Sequence, residues 1–490
     1  LAGQAVLVSL FVLLLYLALG SLITLYARRR MARGEGEFYL AGRRLTGFLS
    51  AMTYAATTYS SFMIVGLVGL AYFTGIGSLV FELAYLVATV ILLSLFSRRV
   101  WRMSRERGWV SPGEMLADLL GSPWVALTAS LVFLVSLVPY ASAQLKGIAE
   151  TIVAIAGYSP GDNTAYMVAV GVALLILLAW SLLAGVRGVV LTDAFQGLWM
   201  LTAGSLLFLW LASRVFSKSG ASEVLSAMES AGLFDMWSAT LLIGFVTPWV
   251  FFAVTNPQVV QRLYMPKDEE SLRRMILYFF LFGLYYTVLV VAIGFLARAG
   301  VELGILSIEP QGRDQVTPQL LSLAHPLLAA LVFTSIVAAS VSTADSIILA
   351  LASSASRDIG LLVLRLDEKG RLRLGYAAAA LFTVLMAVFA ATRIGYIVQL
   401  SVLSSVMLLG LAPVTIAAWV GLRVHPALAV ASIATGPVLV AANVLYSLAV
   451  GGEVSLSPAK QVLGVPISVW VLAISLALTA AGIALVRGRR

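Results

Sequence analysis

Long stretches of this chain carry no Asp, Glu, Lys or Arg, including 45–81, 119–145, 163–186, 236–261, 275–297 and 394–422. A helix needs about 20 apolar residues to cross roughly 30 Å of hydrocarbon, and each stretch meets that length. Core helices of a large soluble protein would carry polar outer faces, which these segments lack. Composition points the same way. The chain is 61% hydrophobic and 11% charged, whereas soluble proteins carry about 25% charged residues. These features predict an all-α polytopic membrane protein.

Several function classes drop out early. With no cysteine there is no disulfide framework and no Cys-ligated metal or cluster. His325 and His425 each precede a proline at the start of an apolar segment, a boundary position without a metal-binding partner in sequence. The net charge of +9 is spread over short loops between apolar segments. It therefore suits an anionic membrane surface and not nucleic acid. Segment 4–27 lacks a small-residue cleavage site and runs into Arg28, Arg29 and Arg30, so it reads as a retained anchor helix. The missing initiator Met reads as processing or trimming.

Thirteen helices are expected, near 4–27, 46–73, 76–97, 122–156, 163–185, 188–213, 237–262, 274–298, 326–357, 374–391, 396–421, 427–448 and 465–486. With the N-terminus outside, loops after the odd helices should be cytoplasmic and basic. Those loops and the C-terminal tail hold 25 of the 32 basic residues. They include Arg28–Arg30, Arg33, Arg43 and Arg44, the run 98–107 and the stretch 357–373. Only Arg214, Lys218, Arg298, Arg313, Arg393 and Lys460 fall on the outer side, and Lys146 lies within a helix. The expectation is one multi-pass domain in the cell membrane, with the C-terminus cytoplasmic.

Setting aside the first helix and the last two leaves two sets of five. An odd number per set makes the halves face opposite ways, the condition for an inverted repeat. The expected division is an extra helix and loop in 1–45, a first repeat in 46–216, a second in 237–422 and two added helices in 423–490. The opening helix of the first repeat contains the hydroxyl-rich run Ala55-Ala56-Thr57-Thr58-Tyr59-Ser60-Ser61, and that of the second contains Thr247-Pro248 and Asn256-Pro257. Proline removes a donor and crowds the preceding turn. The freed carbonyls must face protein or a cavity. Both pairs in the second repeat are expected to break the helix.

In Ala338-Ala339-Ser340-Val341-Ser342-Thr343-Ala344-Asp345-Ser346, Ala339, Ser342 and Thr343 share one helix face. Two hydroxyls and a carbonyl are hard ligands for a small cation, not for copper or zinc. Membrane Ser and Thr also bond back to their own helix or glue helices together.

Here the chain resembles the sodium:solute symporters, which include proline, pantothenate, glucose and monocarboxylate carriers. The resemblance lies in Glu37-Phe38-Tyr39-Leu40-Ala41-Gly42-Arg43, the run 55–72, Leu191-Thr192-Asp193-Ala194-Phe195-Gln196, Pro257-Gln258-Val259-Val260-Gln261-Arg262, and the Ser342-Thr343 segment ending at Arg357-Asp358. It implies a leucine-transporter-type five-plus-five inverted repeat with Na+ as the coupling ion. It also implies an ion site at the carbonyls of Ala56, Tyr59 and Ala339 and the hydroxyls of Ser342 and Thr343. Asp193 matches the family's acidic residue associated with sodium coupling and release. A charge deep in a membrane costs at least about 2.5–3.5 kcal/mol, so Asp193 should face a wet pathway or pair with Arg187 or a neighbouring helix. Asp345, one turn beyond Ser342, is a second ion-coupling candidate and the starting point for proton coupling.

Substrate contacts are expected from both broken helices. In the proline carriers an aromatic residue and a proline on the second broken helix contribute, matching Trp249 and Pro257. Thr58, Ser61, Phe62, Tyr140, Phe252 and Asn256 are neighbours in the expected site. Thr58 stands where proline carriers have an acid, which counts against proline, and no sugar-binding set is recognisable. Lys146 either attracts a substrate carboxylate or, as the spacing favours, neutralises Glu150 at i+4. Glu82 serves substrate or packing. The expected function is sodium-coupled symport of an amino acid, monocarboxylate or pantothenate-like solute. The alternatives are proton coupling on the same fold, or a non-transporting sensor, which the four residues after the last helix disfavour. No catalytic set supports an enzyme, and no obligate protein partner is evident.

Overall fold

Apolar helices that must satisfy their own backbone dominate the architecture. The structure, a computed structural model, describes residues 2–28, 39–450 and 455–488; side chains of 179–188 and at both ends of the first helix lie outside that description. Outside it also fall Arg29, Arg30, Arg33, Glu37 and Phe38, named above as loop charges or motif residues, and Arg489 and Arg490 of the C-terminal tail.

The helices run in chain order as α1 (Ala2–Arg28), α2 (Gly47–Thr58), α3 (Phe62–Thr74), α4 (Gly77–Arg107), α5 (Pro112–Leu120), α6 (Pro123–Ile155), α7 (Asn163–Phe216) and α8 (Ala221–Ser230). There follow α9 (Ala239–Trp249), α10 (Phe252–Thr255), α11 (Pro257–Arg262), α12 (Glu269–Glu302), α13 (Val316–Leu323), α14 (Pro326–Ser354) and α15 (Glu368–Ala391). The last are α16 (Ile397–Leu408), α17 (Leu411–Trp419), α18 (Pro426–Ala449) and α19 (Ile467–Gly488). A two-stranded hairpin, β1 (Gln461–Val462) with β2 (Val465–Pro466), precedes α19. Among the described residues, 10 helices are long and apolar enough to span a membrane, or 12 if two bent pairs are counted.

Each of the thirteen expected segments coincides with a helix or a broken helix pair. Two of them share α7. Ile176 and Leu13 of α1 line one groove, while Gln196 bonds Tyr16 one turn further along α1. Both segments of α7 thus pack against α1.

Burial ranks the helices. The apolar window of α14 is 83% buried and that of α6 67%, against 22% for α15 and α19. α14 is therefore the central post. α2 ends at Thr58 and meets α3 at a bend of 52°, with Tyr59 extended at φ −88°, ψ 104°. This is the break expected within 55–61.

The second broken helix differs from expectation. Thr247-Pro248 lies inside α9 and does not break it. Proline at 248 orphans the carbonyl four residues earlier, and Ser468 Oγ of α19 donates to that Gly244 carbonyl at 3.2 Å. The break falls at Val250–Phe251 and at Asn256, which is extended at φ −86°, ψ 118°. Pro257 then opens α11 at a position where no N–H is needed.

The helix expected over 396–421 is also bent, by 57°, between α16 and α17. Pro413 crowds the carbonyl of Leu409. A Cβ on Gly410 would stand 2.2 Å from the Ser432 carbonyl oxygen, and one on Gly436 2.2 Å from that of Met407. The bend thus accommodates close backbone contact with α18, a contact that small residues permit in membrane bundles.

α12 packs as closely on α3. A Cβ on Gly294 would lie 2.5 Å from the Val68 carbonyl oxygen and 2.8 Å from Ala71 Cβ. Gly294→Val should cost about 1–3 kcal/mol by overpacking. Gly171→Val, at a position with nothing within 4 Å, should leave the melting temperature in detergent unchanged.

Candidate functional site

Where α2 stops, the helical ladder ends with Tyr59 N–H donating to the Ala55 carbonyl. The next carbonyl, that of Ala56, is taken by two side chains of the central post. Ser342 Oγ donates to it at 2.7 Å and Thr343 Oγ1 at 3.0 Å. Ser342 Oγ also lies 3.4 Å from the Ala339 carbonyl oxygen. Ala56, Ala339, Ser342 and Thr343 are all buried, and Tyr59 stands at the break with its ring stacked on Phe279 and Phe282. Four of the five expected ion ligands therefore meet at one point, three residues before the unwound Tyr59. The oxygens are two carbonyls and two hydroxyls, neutral and hard, the set that replaces water around an alkali cation.

One turn along α14 a polar chain begins. Thr57 Oγ1 and Ser346 Oγ are 2.9 Å apart, and Arg262 Nη2 donates to Ser346 Oγ at 2.6 Å. Arg262 Nε donates to Thr53 Oγ1 at 3.1 Å, and Thr53 Oγ1 donates to Asp193 Oδ2 at 2.5 Å. Arg262 Nη2 lies 4.0 Å from Asp193 Oδ2, with both side chains buried. The cation beside Asp193 is thus Arg262 of α11; the side chain of Arg187 lies outside the described residues. Asp345 is buried on the same post, next to Ser346. Arg262 is the residue that sequence reasoning missed. It ends the uncharged stretch 236–261 and resembles an ordinary loop arginine until the break at Asn256 turns it inward.

The aromatic residues expected at the substrate site converge. Trp249 stacks on Phe62 and contacts Phe252, each at 5.0 Å between centroids. Tyr140 meets Phe252 at 6.1 Å and donates to the Thr58 carbonyl at 3.1 Å. Ser61 Oγ donates to Gln144 Oε1 at 2.9 Å. Asn256 Nδ2 reaches the Phe252 carbonyl at 3.3 Å, and Pro257 follows it. Thr58 Oγ1 bonds back to the Tyr54 carbonyl. Glu82 belongs to this cluster: its buried carboxylate accepts from Trp249 Nε1 at 3.1 Å. Tyr85 and Gln144, which no sequence signal singled out, complete it.

Lys146 is elsewhere. Contrary to the spacing argument, its ion-pair partner is not Glu150. Its Nζ lies 3.0 Å from Asp314 Oδ2 and also donates to the Gly395 carbonyl. Glu150 instead accepts from Arg393 Nε at 3.1 Å and Nη2 at 3.0 Å. Both partners come from the second half of the chain, 168 and 243 positions away from Lys146 and Glu150 respectively, so helical spacing along α6 had no bearing on them. These pairs close one end of the molecule around a cavity of about 500 Å³, lined by Asn163, Gly312 and Tyr396 among others. At the opposite, basic end, Arg357 pairs with Glu114 at 2.5 Å, and Asp358 accepts from Ser111 and from Ser130. The break and the aromatic cluster lie buried between these two closures.

Comparison with known proteins places this architecture. The model of the sodium:solute symporter family matches residues 38–422. The sodium/pantothenate symporter of Escherichia coli (strain K12) is 26% identical over 272 residues, covering 54% of this chain and 55% of that protein. Its counterpart in Haemophilus influenzae is 23% identical over 398 residues, covering 77% of this chain and 78% of that protein. The match thus spans about half the length of the first relative and over three quarters of the second. Among solved structures, a Na+-coupled sialic acid symporter in a substrate-bound outward-open state superposes with a TM-score of 0.76 at 18% identity, over 98% of both chains. A nucleobase-cation-symport-1 family transporter in a closed conformation with bromovinylhydantoin bound gives 0.56 at 14% identity, over 92% of this chain and 95% of that one. These two likenesses establish the fold, and the family match over most of the length establishes the kinship: this chain belongs to the sodium:solute symporter family.

Proposed function

We propose that this transporter couples sodium to an amino acid, monocarboxylate or pantothenate-like solute, with Na+ held by Ala56, Tyr59, Ala339, Ser342 and Thr343. The observation that carries this reading is the Ala56 carbonyl, released by the break and met by both hydroxyls of α14. Hydroxyls that donate to a carbonyl without the ion can turn their lone pairs to a cation. Na+ so bound ties α2 to α14 and favours the state in which the outer side is open to solute.

The solute fits between the two breaks, against Phe62, Tyr140, Trp249 and Phe252, with Thr58, Ser61, Asn256 and the Pro257 turn as polar and backbone contacts. The pantothenate relatives support an organic acid with amide or hydroxyl groups. The basic end belongs at the cytoplasm by the excess of Lys and Arg there, which puts the start of α1 outside. Lys146–Asp314 and Arg393–Glu150 then form the outer closure, and Arg262 with Asp193, Thr53 and Ser346 forms the inner one. Opening inward requires Arg262 to leave α2 and α14, which frees Asp193 to draw sodium from its site.

The driving force suffices. A 100 mV potential is worth about 2.3 kcal/mol per charge and a tenfold sodium gradient about 1.4 kcal/mol. One sodium thus sustains about 500-fold accumulation of a neutral solute. Asp345, buried within a turn of the hydroxyl pair on α14, and Asp193, buried against Thr53 of α2, favour proton coupling as the second reading. Uptake driven by a pH gradient in sodium-free vesicles would select it.

Sodium binding can be read without knowing the solute. At 100 times its dissociation constant Na+ should stabilise the folded protein by about 2.7 kcal/mol, and K+ should not. In Ser342→Ala/Thr343→Ala that thermal shift should vanish; its survival at the same sodium concentration would remove the ions from this site. A panel of amino acids, monocarboxylates, vitamins and sugars, added with and without sodium, identifies the solute by a further shift.

The inner closure makes a separate prediction. Arg262→Met leaves Asp193 buried without its cation and should cost about 3–5 kcal/mol. Arg262→Met/Asp193→Leu should recover most of that loss in melting temperature. Equal melting of the single and double variants would show that the two charges do not act as a unit.

A further inference from the structure

At the basic end a groove lies between α4 and α12. Its walls are Val90 and Ser94 of α4 and Ile276, Leu277 and Phe280 of α12, and it encloses about 510 Å³. From Val90 to Ser97 it runs about 10 Å along the helix. Leu95, Leu277 and Leu281 beside it are half or more exposed, as expected of a lipid-facing surface. The mouth is charged. Arg98 Nε lies 2.8 Å and Arg273 Nη2 3.1 Å from the same oxygen, Glu269 Oε1.

Two guanidiniums on one carboxylate leave a unit of positive charge, and each guanidinium has five N–H donors. The two arginine side chains are 60% and 69% exposed. The flanking runs 98–107 and 267–274 hold eight basic against four acidic residues. One turn beyond Arg98, the Trp101 indole donates to the Pro266 carbonyl at 2.9 Å and carries the Arg105 guanidinium on its face at 4.9 Å. Tryptophan so placed marks the membrane–water boundary, which sets the arginines at headgroup depth and the groove in the acyl region below.

We propose that this groove binds an anionic phospholipid, with its phosphate on Arg98 and Arg273 and an acyl chain along Leu277 and Phe280. Charge complementarity selects the headgroup, because basic pockets between membrane helices hold anionic lipids. The apolar wall selects a lipid over a soluble phosphate. The lipid bridges α4 to α12, the helix on which α3 rests.

Native mass spectrometry of the detergent-purified full chain with phosphatidylglycerol or phosphatidylcholine tests this. The wild type should retain at least fivefold more phosphatidylglycerol. Arg98→Gln/Arg273→Gln should fall to the phosphatidylcholine level, while Arg423→Gln at the same end should not. Ser94→Phe, which fills the groove and leaves the charges alone, should lower retention too. Equal retention of the two lipids by the wild type would overturn the proposal, as would equal loss in Arg423→Gln. Displacement by millimolar glycerol 3-phosphate as readily as by lipid would make the occupant a free phosphate and overturn it as well.

Discussion

A peptide carbonyl that has lost its helical partner inside a membrane must find another, because lipid offers none. At Ala56 that partner is a pair of hydroxyls one residue apart on a different helix. The bend of 52° between α2 and α3, the depth of α14 and the position of the polar chain through Thr57 and Ser346 all follow from holding that contact. The same need explains why a break costing backbone hydrogen bonds persists: the contact between α2 and α14 exists only while the carbonyl is exposed. An ion that takes the carbonyl and the hydroxyls together therefore reports directly on how close the two helices are. Binding at that point, as proposed above, would couple to shape without any lever between them.

Charge is distributed around that point in layers. Lys146, Asp314, Arg393 and Glu150 pair across elements at one end. Arg262 and Asp193 lie just beyond the proposed ion ligands, and Arg357 with Glu114 closes the basic end. Buried pairs contribute little net stability, but losing one partner is expensive. They therefore act as two-state contacts, intact or fully parted. They flank a cluster of neutral oxygens at Ala56, Ala339, Ser342 and Thr343, with the carboxyl groups of Glu82 and Asp345 buried nearby.

Much of this was legible in the sequence. Uncharged stretches located the spans, and the hydroxyl-rich run 55–61 located the first break, because both signals are local and backbone physics reads them directly. The pairing of charges was not. Lys146 and Glu150 are one turn apart on α6, yet each binds a residue from the other half of the chain, and helical spacing carries no information about that. Arg262 was counted among loop charges because its inward turn depends on Asn256 leaving the helix six residues earlier. Pro248 resembled a break as much as Pro257 did. What separates them is a serine more than 200 positions away that caps one orphaned carbonyl, a tertiary fact with no local trace. The bend at Gly410 likewise depends on how closely α18 approaches.

The Ser468 contact has a mechanical corollary. By clasping the Gly244 carbonyl it splints α9 through its proline, and a Cβ on the same glycine would lie 2.6 Å from Ala459 Cα of the preceding loop. With that half braced, the interruptions of the second broken helix fall within the short stretch from Val250 to Asn256. The last helix, peripheral by burial, thereby braces the first half of that interrupted helix.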